Sequence, residues 1–585
     1  MRPASAAALA RELPGRTRLE ALERRIARYE PWIVLAPIVV AQWIALVVFA
    51  LVVRHNGWLF YQGGDQTVFY TDGWALGHGH IPEAEIGYGW SYLLSPLAAI
   101  FGANILSALP LIVLFQTIVL LPVAIFCVYG IAARIGGRLL GYLAAALWVA
   151  APFLSIPLWD HRYHAKFIEQ FLPQAFGMTA MGDFPSMVAL LVAGYFCIRA
   201  LDTTDLVDAA VGGLAAGFAI GIKPANALFL AGPLLAFTAA RRWREGAAFG
   251  VALGPAVVAL ALWKYRGLGH LPIITPAPKA LAAGVGAIPG GGLPLGLVVS
   301  RYFHFDWWRM HQNYLELREF FWSVRLLQWL PLAGFVGAAR RSWPKALLLA
   351  GWIGAFILVK GSSEAGSVES GILLRLFLPG FAPFLIFTAL IPLLLPTVGP
   401  RIWERFPLRT WSFPHRRRLA IAGAVVFAVV PVLLFAVLRP LRSDAAVKDF
   451  QYYVLVPADK SFTVDVRRTP NGAGELVSWQ PPSSSASVFY RVYRSRPAVP
   501  APDPTLPSGR DGIRCLPPNT YGHPGAADCR LEMTLIGVTR DHSFVDHPPA
   551  GAWTYRIGLT ANWLNDPERG DTMVLSGPGR LGVQH

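Results

Sequence analysis

The stretch Trp32-Ile-Val-Leu-Ala-Pro-Ile-Val-Val-Ala-Gln-Trp-Ile-Ala-Leu-Val-Val-Phe-Ala-Leu-Val-Val53 decides the class of fold. It carries no charged side chain, and an apolar helix of about 20 residues is long enough to cross a bilayer. The 31 residues before it are polar and Arg-rich, and no small-residue cleavage site lies near its end. We therefore predict a signal anchor that stays attached to the protein.

Ten more apolar runs follow this first one. Of the 585 residues, 54% are hydrophobic and 15% are charged, whereas an average soluble domain has roughly a quarter of charged residues. We predict an α-helical polytopic membrane domain over 32–440 with about 11 transmembrane helices. Lys223-Pro224 separates two short runs, which form either a tight hairpin or a broken re-entrant pair. The ten runs are 105–133, 138–158, 185–201, 208–222, 224–240, 247–264, 322–339, 345–360, 373–396 and 419–438.

The positive charges predict the orientation. The net charge is +16, but most Lys and Arg flank apolar runs and collect in alternate loops, which indicates membrane topology and excludes a nucleic-acid partner. The N-terminal tail 1–31 is then cytoplasmic, and the region 447–585 is extracytoplasmic. The loops 54–104, 159–184 and 265–321 share the extracytoplasmic side, and within them Tyr88–Phe101 and Tyr302–Trp322 are expected to form interfacial helices.

After residue 447 the pattern changes to alternating strands with Pro/Gly turns, which predicts an all-β sandwich. The turn Pro548-Pro-Ala-Gly551 and the strand Trp553-Thr-Tyr-Arg-Ile557 resemble the end of a fibronectin type III domain. Trp479 and Tyr555 match the buried Trp and the corner Tyr of that family, and both are interpreted as core residues without chemistry.

Two cysteines lie in an insertion of this domain. Cys515 and Cys529 are 14 positions apart in the polar segment 497–530. A disulfide between them would contribute roughly 3 kcal/mol and needs an oxidising compartment, in agreement with the extracytoplasmic side. Cys127 and Cys197 lie in apolar runs and are interpreted as packing residues.

The first extracytoplasmic loop is rich in ionisable residues. Asp65 and Asp72 are seven positions apart and would share a helix face with Phe69. A carboxylate at the membrane boundary can act as general base for a hydroxyl, or it can bind a divalent cation with help from histidines. Four more ionisable residues follow, namely His78, His80, Glu83 and Glu85. The competing interpretation is that these are solvent-exposed loop residues without a function.

Four stretches together resemble the GT-C superfamily of integral membrane glycosyltransferases. They are Asp65 to Gly102, Gly182-Asp183-Phe-Pro185, Gly213-Leu-Ala-Ala-Gly217 with Lys223-Pro224, and Leu374-Arg375-Leu-Phe-Leu-Pro379. They occur in the family's order over about 400 residues of a membrane topology of the right kind.

The resemblance implies roles for individual residues. It makes Asp65 the catalytic base, with Asp72 as the substitute because Gln66 stands where many relatives have a second acidic residue. It makes Arg375 and Lys223 the residues that bind the lipid phosphate. The competing interpretations are an interfacial anchor for Arg375 and a helix break caused by Pro224 alone for Lys223. Residues left as possible substrate contacts are Asp183, His78, His80, Glu364 and Glu369.

We therefore predict a bacterial cell-envelope glycosyltransferase. It would move a sugar from a polyprenyl-phosphate donor to a glycan, lipid or protein acceptor. No resident metal is predicted, because Asp160, His161, His164, His304, Asp306 and His311 lack zinc spacing, but a divalent cation stays open. The alternatives are a polytopic transporter or lipid flippase, and a membrane scaffold that displays an adhesion domain.

Overall fold

The computed structural model describes residues 14–53, 59–61, 64–82, 84–102, 104–155, 172–272, 305–320, 329–363, 372–396, 416–440, 458–459, 461–481, 488–496, 513–516, 528–531, 534–561 and 572–582. The part before residue 440 is helical, and the part after it contains strands. This arrangement confirms the predicted combination of a helical membrane region with a C-terminal β region.

The main helices of the first part are numbered α1 to α14. α4 contains a π-helical turn at Gln116–Leu120, and α14 contains another at Val425–Val429. The bounds are α1 Pro14–Val52, α2 Asp65–Gly77, α3 Tyr88–Phe101, α4 Ile105–Gly136, α5 Arg138–Ser155, α6 Asp183–Thr203, α7 Leu206–Ile222, α8 Pro224–Ala239, α9 Trp243–Leu268, α10 Trp307–Phe320, α11 Trp329–Arg341, α12 Trp343–Gly361, α13 Ile372–Leu390 and α14 Arg417–Val437.

Within the described residues, 7 helices are long and apolar enough to cross a membrane. They are segments of α1, α4, α6, α9, α12, α13 and α14, and α5, α7 and α8 are shorter apolar helices. Each of the eleven predicted runs coincides with a helix, although 322–328, at the start of one run, and 156–158, at the end of another, lie outside the described residues. The chain is therefore a multi-pass membrane protein, and the count of eleven spans stays a prediction.

An ionic cluster joins three helix ends on one side of the bundle. Asp202, near the end of α6, accepts from Arg134 Nη1 at 3.1 Å and from Lys345 Nζ at 2.6 Å. Lys345 Nζ also donates to the main-chain oxygen of Arg134 at 2.6 Å. Arg134 ends α4 and Lys345 begins α12, so α4 and α6 run in one direction and α12 in the opposite one. We call this group the Asp202 cluster.

Glycines allow close approach between the helices around α7. A Cβ on Gly213 would lie 2.1 Å from the main-chain oxygen of Phe249 on α9. On the loop before α3, a Cβ on Gly87 would lie 2.3 Å from the main-chain oxygens of Gly221 and Ile222. The Gly-rich motif therefore serves helix packing, and α3 rests on the last turn of α7.

Helices outside the spans follow the expected pattern. α3 covers the predicted interfacial segment Tyr88–Phe101, and α10 lies within the second one. Asn313 of α10 donates to the main-chain oxygen of Gly361 at 2.7 Å, so α10 sits at the end of α12. Trp307 and Trp308 are 64% and 69% exposed, as expected for aromatic side chains at a membrane interface.

The C-terminal strands form two larger sheets, ordered β10-β5-β4 and β3-β12-β11-β6-β9. Trp479 and Tyr555 are 4% and 0% exposed and lie with Val477, Tyr490 and Ile557 in the core. Asp528–Leu531 (β8) pairs with Ile513–Leu516 (β7), whereas Thr534–Thr539 (β9) pairs with Val488–Ser495 (β6). The fibronectin type III assignment stays a prediction.

The bounds of the strands in this region are β3 Ala458–Asp459, β4 Thr463–Arg468, β5 Glu475–Gln480, β6 Val488–Ser495, β7 Ile513–Leu516, β8 Asp528–Leu531, β9 Thr534–Thr539, β10 Ser543–Asp546, β11 Thr554–Ala561, β12 Thr572–Ser576 and β13 Gly579–Arg580.

Two short strands connect the two ends of the membrane region. β1 (His80–Ile81) follows α2, and β2 (Arg439–Pro440) follows α14. They pair in parallel, with His80 opposite Arg439. The first loop and the start of the C-terminal region therefore lie on the same side of the helical bundle.

Candidate active site

Four charged side chains from four separate segments meet at one end of the bundle. Asp65 begins α2, Asp183 begins α6, Lys223 follows α7 directly, and Arg375 lies in the first turn of α13. Arg375 Nε donates to Asp183 Oδ2 at 3.2 Å and to Oδ1 at 3.3 Å, and Arg375 Nη2 donates to Asp65. Lys223 Nζ donates to Asp183. We call this group the four-charge site.

Exposure is graded across the four-charge site. The side chain of Asp183 is 3% exposed, those of Lys223 and Arg375 are 23% exposed, and that of Asp65 is 42% exposed. The formal charges of the two carboxylates and the two cations cancel. Asp183 is therefore the buried bridge between the cations, and Asp65 is the carboxylate that solvent or a substrate reaches.

The start of α2 fixes the position of Asp65. Gly64 precedes it with φ of 58°, a left-handed conformation that favours glycine. The main-chain oxygen of Gly64 accepts from the N–H groups of Thr67 at 3.0 Å and Val68 at 3.3 Å. Asp65 is the first helical residue, where the helix dipole stabilises a negative charge.

Three side chains hold the segment that leads into Asp183. The N–H of Ala180 donates to Gln66 Oε1 at 3.1 Å, and Trp90 Nε1 donates to the Ala180 oxygen at 2.8 Å. Gln116 Nε2 donates to the main-chain oxygen of the preceding residue at 2.6 Å. α2, α3 and α4 each supply one of these hydrogen bonds, so three helices fix the position of the segment before α6.

Aromatic side chains pack under the site. Phe69 is 1% exposed, and a Cβ on Gly182 would lie 2.7 Å from its Cζ atom, so only glycine fits there. Burial raises the pKa of Tyr61 well above its ordinary value, and burial raises the pKa of Tyr70 to about 12. Both phenols are therefore neutral near pH 7 and buried, whereas the carboxylate of Asp65 is 42% exposed.

The break after α7 orients Lys223. Its backbone is extended, with φ of −134° and ψ of 110°, and Pro224 follows it. Asn226 donates through its N–H to the Lys223 oxygen at 2.9 Å and through Nδ2 to the Ala219 oxygen at 2.8 Å. These contacts satisfy carbonyl groups at the end of the helix, so Pro224 and Asn226 together build the break.

Asp72 lies deeper than expected. Its side chain is fully buried two turns further along α2, and its carboxylate interacts electrostatically with Lys264 on α9. Lys264 Nζ donates to the main-chain oxygens of Ala84 and Glu85, at 2.7 Å in each case. A fully buried carboxylate is the poorer base for an incoming hydroxyl, so the geometry favours Asp65.

The two histidines are not brought to the four-charge site. His78 caps the far end of α2, roughly 20 Å from Asp65 at 1.5 Å per residue. His78 Nδ1 lies 2.8 Å from the Trp74 oxygen, and His80 Nδ1 lies 2.9 Å from the His78 oxygen. Glu83, Glu364 and Glu369 lie outside the described residues.

No metal cluster is seen in the part of the chain that the structure describes, where no three or more His, Cys, Asp or Glu side chains are placed to hold an ion. Asp306 Oδ1 accepts from the N–H of Arg309 at 2.9 Å, as a helix-start residue does. Asp160, His161, His164 and His304 lie outside the described residues.

The sequence did not indicate the three clamping side chains, Gln66, Trp90 and Gln116. Gln116 stands among apolar residues in the run 105–133, and a lone amide in such a run signals a buried hydrogen bond. Gln66 was noted only as a replacement for an acidic residue. The structure shows that it is fully buried and binds the main chain ahead of α6.

No protein-family model and no curated protein matches the chain. The archaeal oligosaccharyltransferase AglB of Archaeoglobus fulgidus, in complex with an inhibitory peptide and a dolichol-phosphate, is similar at 12% identity and a TM-score of 0.36. The alignment covers 70% of this chain and 56% of that one.

Other structures of the same archaeal enzyme give comparable values. The apo form has 14% identity and a TM-score of 0.36, and the form tethered to an acceptor peptide has 14% and 0.37. Each alignment covers 70% of this chain and 55% of the other, so the chain spans about half the length of these structures.

Proposed function

We propose that the chain is a membrane glycosyltransferase that takes a sugar from a polyprenyl-phosphate donor on the extracytoplasmic side. The observation that carries this proposal is the four-charge site, in which an exposed carboxylate, Asp65, stands beside two cations. A hydroxyl acceptor needs a base, and a departing phosphate needs positive charge. Asp65 supplies the first, and Arg375 with Lys223 supplies the second.

The proposed reaction has one bond-forming step. Asp65 accepts the proton of an acceptor hydroxyl, whose oxygen attacks the anomeric carbon of the sugar. The bond between that carbon and the phosphate oxygen breaks, and the electron pair leaves with the polyprenyl phosphate. Arg375, with its planar fork of donors, is suited to the phosphate oxygens, and Lys223 adds a point charge.

The location of the charges speaks against a transporter. A transporter would carry ionisable residues near the middle of the bilayer, at discontinuous helices. Here Asp183 begins its helix, Lys223 follows the end of its helix, and Arg375 lies in a first turn. The charges therefore line one end of the bundle, where a lipid headgroup lies.

The region 447–585 is proposed as an extracytoplasmic domain that presents the acceptor. The parallel pairing of β1 and β2 supports this, since it ties the chain after α14 to the loop that begins with Asp65. A glycan, lipid or protein acceptor held by this domain would lie on the same side as the site.

The test is reconstitution of the full chain with radiolabelled polyprenyl-phosphate sugars and a mixed acceptor pool. We expect labelled product from the wild type and a drop of at least about 100-fold for Asp65→Asn, because general-base catalysis contributes that much. Asp205→Asn replaces the carboxylate that caps the start of α7, at the other end of the bundle, by an equally good cap and serves as the control. Absence of turnover with every donor would refute the proposal, and equal turnover by Asp65→Asn would remove Asp65 as the base.

A further inference from the structure

Arg375 holds both carboxylates of the four-charge site at once. Its Nε atom donates a hydrogen bond to Asp183, and its Nη2 atom donates one to Asp65. The guanidinium fork that would bind a phosphate is thus already occupied by acidic side chains. With two positive and two negative charges the site is neutral, so an additional anion would leave it with an excess of negative charge.

We propose that the donor phosphate displaces Asp65 from Arg375, so that Asp65 becomes available as a base only when the donor is bound. This inference rests on the proposed function and adds an order of events to it. A phosphodiester carries one negative charge, so exchanging it for the Asp65 carboxylate keeps the charge around Arg375 constant. The incoming anion is therefore of the polyprenyl monophosphate-sugar class.

Asp65 is the carboxylate that leaves, because the two carboxylates are held differently. Asp183 is 3% exposed and contacts both Lys223 and Arg375. Asp65 is 42% exposed and is held by Arg375 Nη2. Removing the buried Asp183 would leave Lys223 without its paired carboxylate, whereas moving Asp65 leaves the pair of Asp183 with Lys223 intact.

The exchange has a chemical consequence for the proton. In the free site, Arg375 Nη2 donates to a carboxylate oxygen of Asp65, so that oxygen is already engaged. Once the phosphate occupies Arg375, the oxygen is released and can accept the proton of the acceptor hydroxyl. Water that enters before the donor therefore finds Asp65 bound to Arg375 and no sugar to attack. Binding of the donor is the event that releases Asp65.

The inference predicts an unusual behaviour of Asp65→Asn, which should lose turnover but bind the donor phosphate more tightly. The probe is a short-chain polyprenyl methyl phosphate, a phosphodiester without sugar, titrated into the full chain in detergent micelles. We expect the Kd of Asp65→Asn to fall at least about fivefold, because the competing anion is gone. Asp65→Ser, which removes the same charge by a different side chain, should give the same result.

Two controls separate charge competition from other effects. Asp65→Glu keeps the competing carboxylate, and its Kd should stay within about twofold of the wild type. Asp465→Asn, an exposed carboxylate on β4, should also leave the Kd unchanged. An unchanged or higher Kd for both Asp65→Asn and Asp65→Ser overturns the exchange, as does a failure of every variant to bind the probe. The proposed function fails separately, by the absence of turnover in the wild type.

Discussion

Arg375 Nε lies 3.2 Å and 3.3 Å from the two carboxylate oxygens of Asp183, a residue 192 positions earlier in the chain. The pair joins the first turn of α13 to the first residue of α6. It therefore fixes which ends of these helices face the same side, and it is the buried half of the four-charge site.

Asp183→Asn should destabilise the protein far more than Asp65→Asn. Breaking a buried ion pair by removing one partner costs about 3–5 kcal/mol, since the remaining charge stays without compensation. Asp65 is 42% exposed, so its loss should cost about 1 kcal/mol or less. Thermal unfolding in detergent measures both. Equal shifts of Tm for the two variants would contradict the assignment of Asp183 as the bridging residue.

Gln66→Met should loosen the segment before Asp183. It removes the acceptor of the Ala180 N–H, and a buried unsatisfied donor costs about 1–3 kcal/mol. We expect faster hydrogen exchange at the Ala180 amide. Gln42→Met replaces a buried glutamine of α1 and should leave that exchange rate unchanged. Slow exchange at Ala180 in Gln66→Met would show that Gln66 does not hold this segment.

Gly213→Ala should weaken the contact between α7 and α9. The added Cβ would lie 2.1 Å from the main-chain oxygen of Phe249, so the helices must separate, at a cost of about 1–3 kcal/mol. Gly250→Ala, on the exposed side of α9, meets nothing within 4 Å and should be neutral or stabilise by about 0.5–1 kcal/mol. Measurement of Tm for both variants tests the prediction. Equal shifts of Tm would show that Gly213 is not required for the contact between α7 and α9.

Cys515 and Cys529 should form a disulfide in the mature protein. They are directly opposite in the antiparallel pair of β7 and β8, a register that brings two main chains close. Maleimide labelling followed by mass measurement should show two extra thiols only after reduction. Cys127 and Cys197 are buried and should stay unlabelled without denaturant. Labelling of Cys515 before reduction would rule out the bond, and a Cys515→Ser/Cys529→Ser variant should show no gain.

The helical part was predictable because its signals are local. Length and hydropathy locate each apolar run, and the alternation of charged loops predicts that the end of α7 and the starts of α6 and α13 share one side. The convergence of Lys223, Asp183 and Arg375 follows from that parity and from the motif resemblance. The solvent exposure of each side chain could not be predicted in this way, because it depends on residues that are far away in the chain.

Other features of the site were not predictable from spacing. Asp65 and His78 are close in the sequence, but they lie at opposite ends of α2 and are separated by the length of that helix. Asp72 shares a helical face with Phe69, but that face turns into the interior after the first turn of α2. The contact of Gln66 with Ala180 spans 114 positions, and nothing in the local sequence identifies the partner.

α6 is fastened at both ends, by Asp183 in the four-charge site and by Asp202 in the Asp202 cluster. A helix of 21 residues is about 30 Å long, close to the thickness of the hydrocarbon core. Because ion pairs lock each end, α6 cannot slide or tilt independently to suit a thinner or thicker bilayer. Because α6 is mostly buried among its neighbours, those helices must adjust together with it, and the bundle as a whole presents a hydrophobic thickness of about 30 Å to the bilayer.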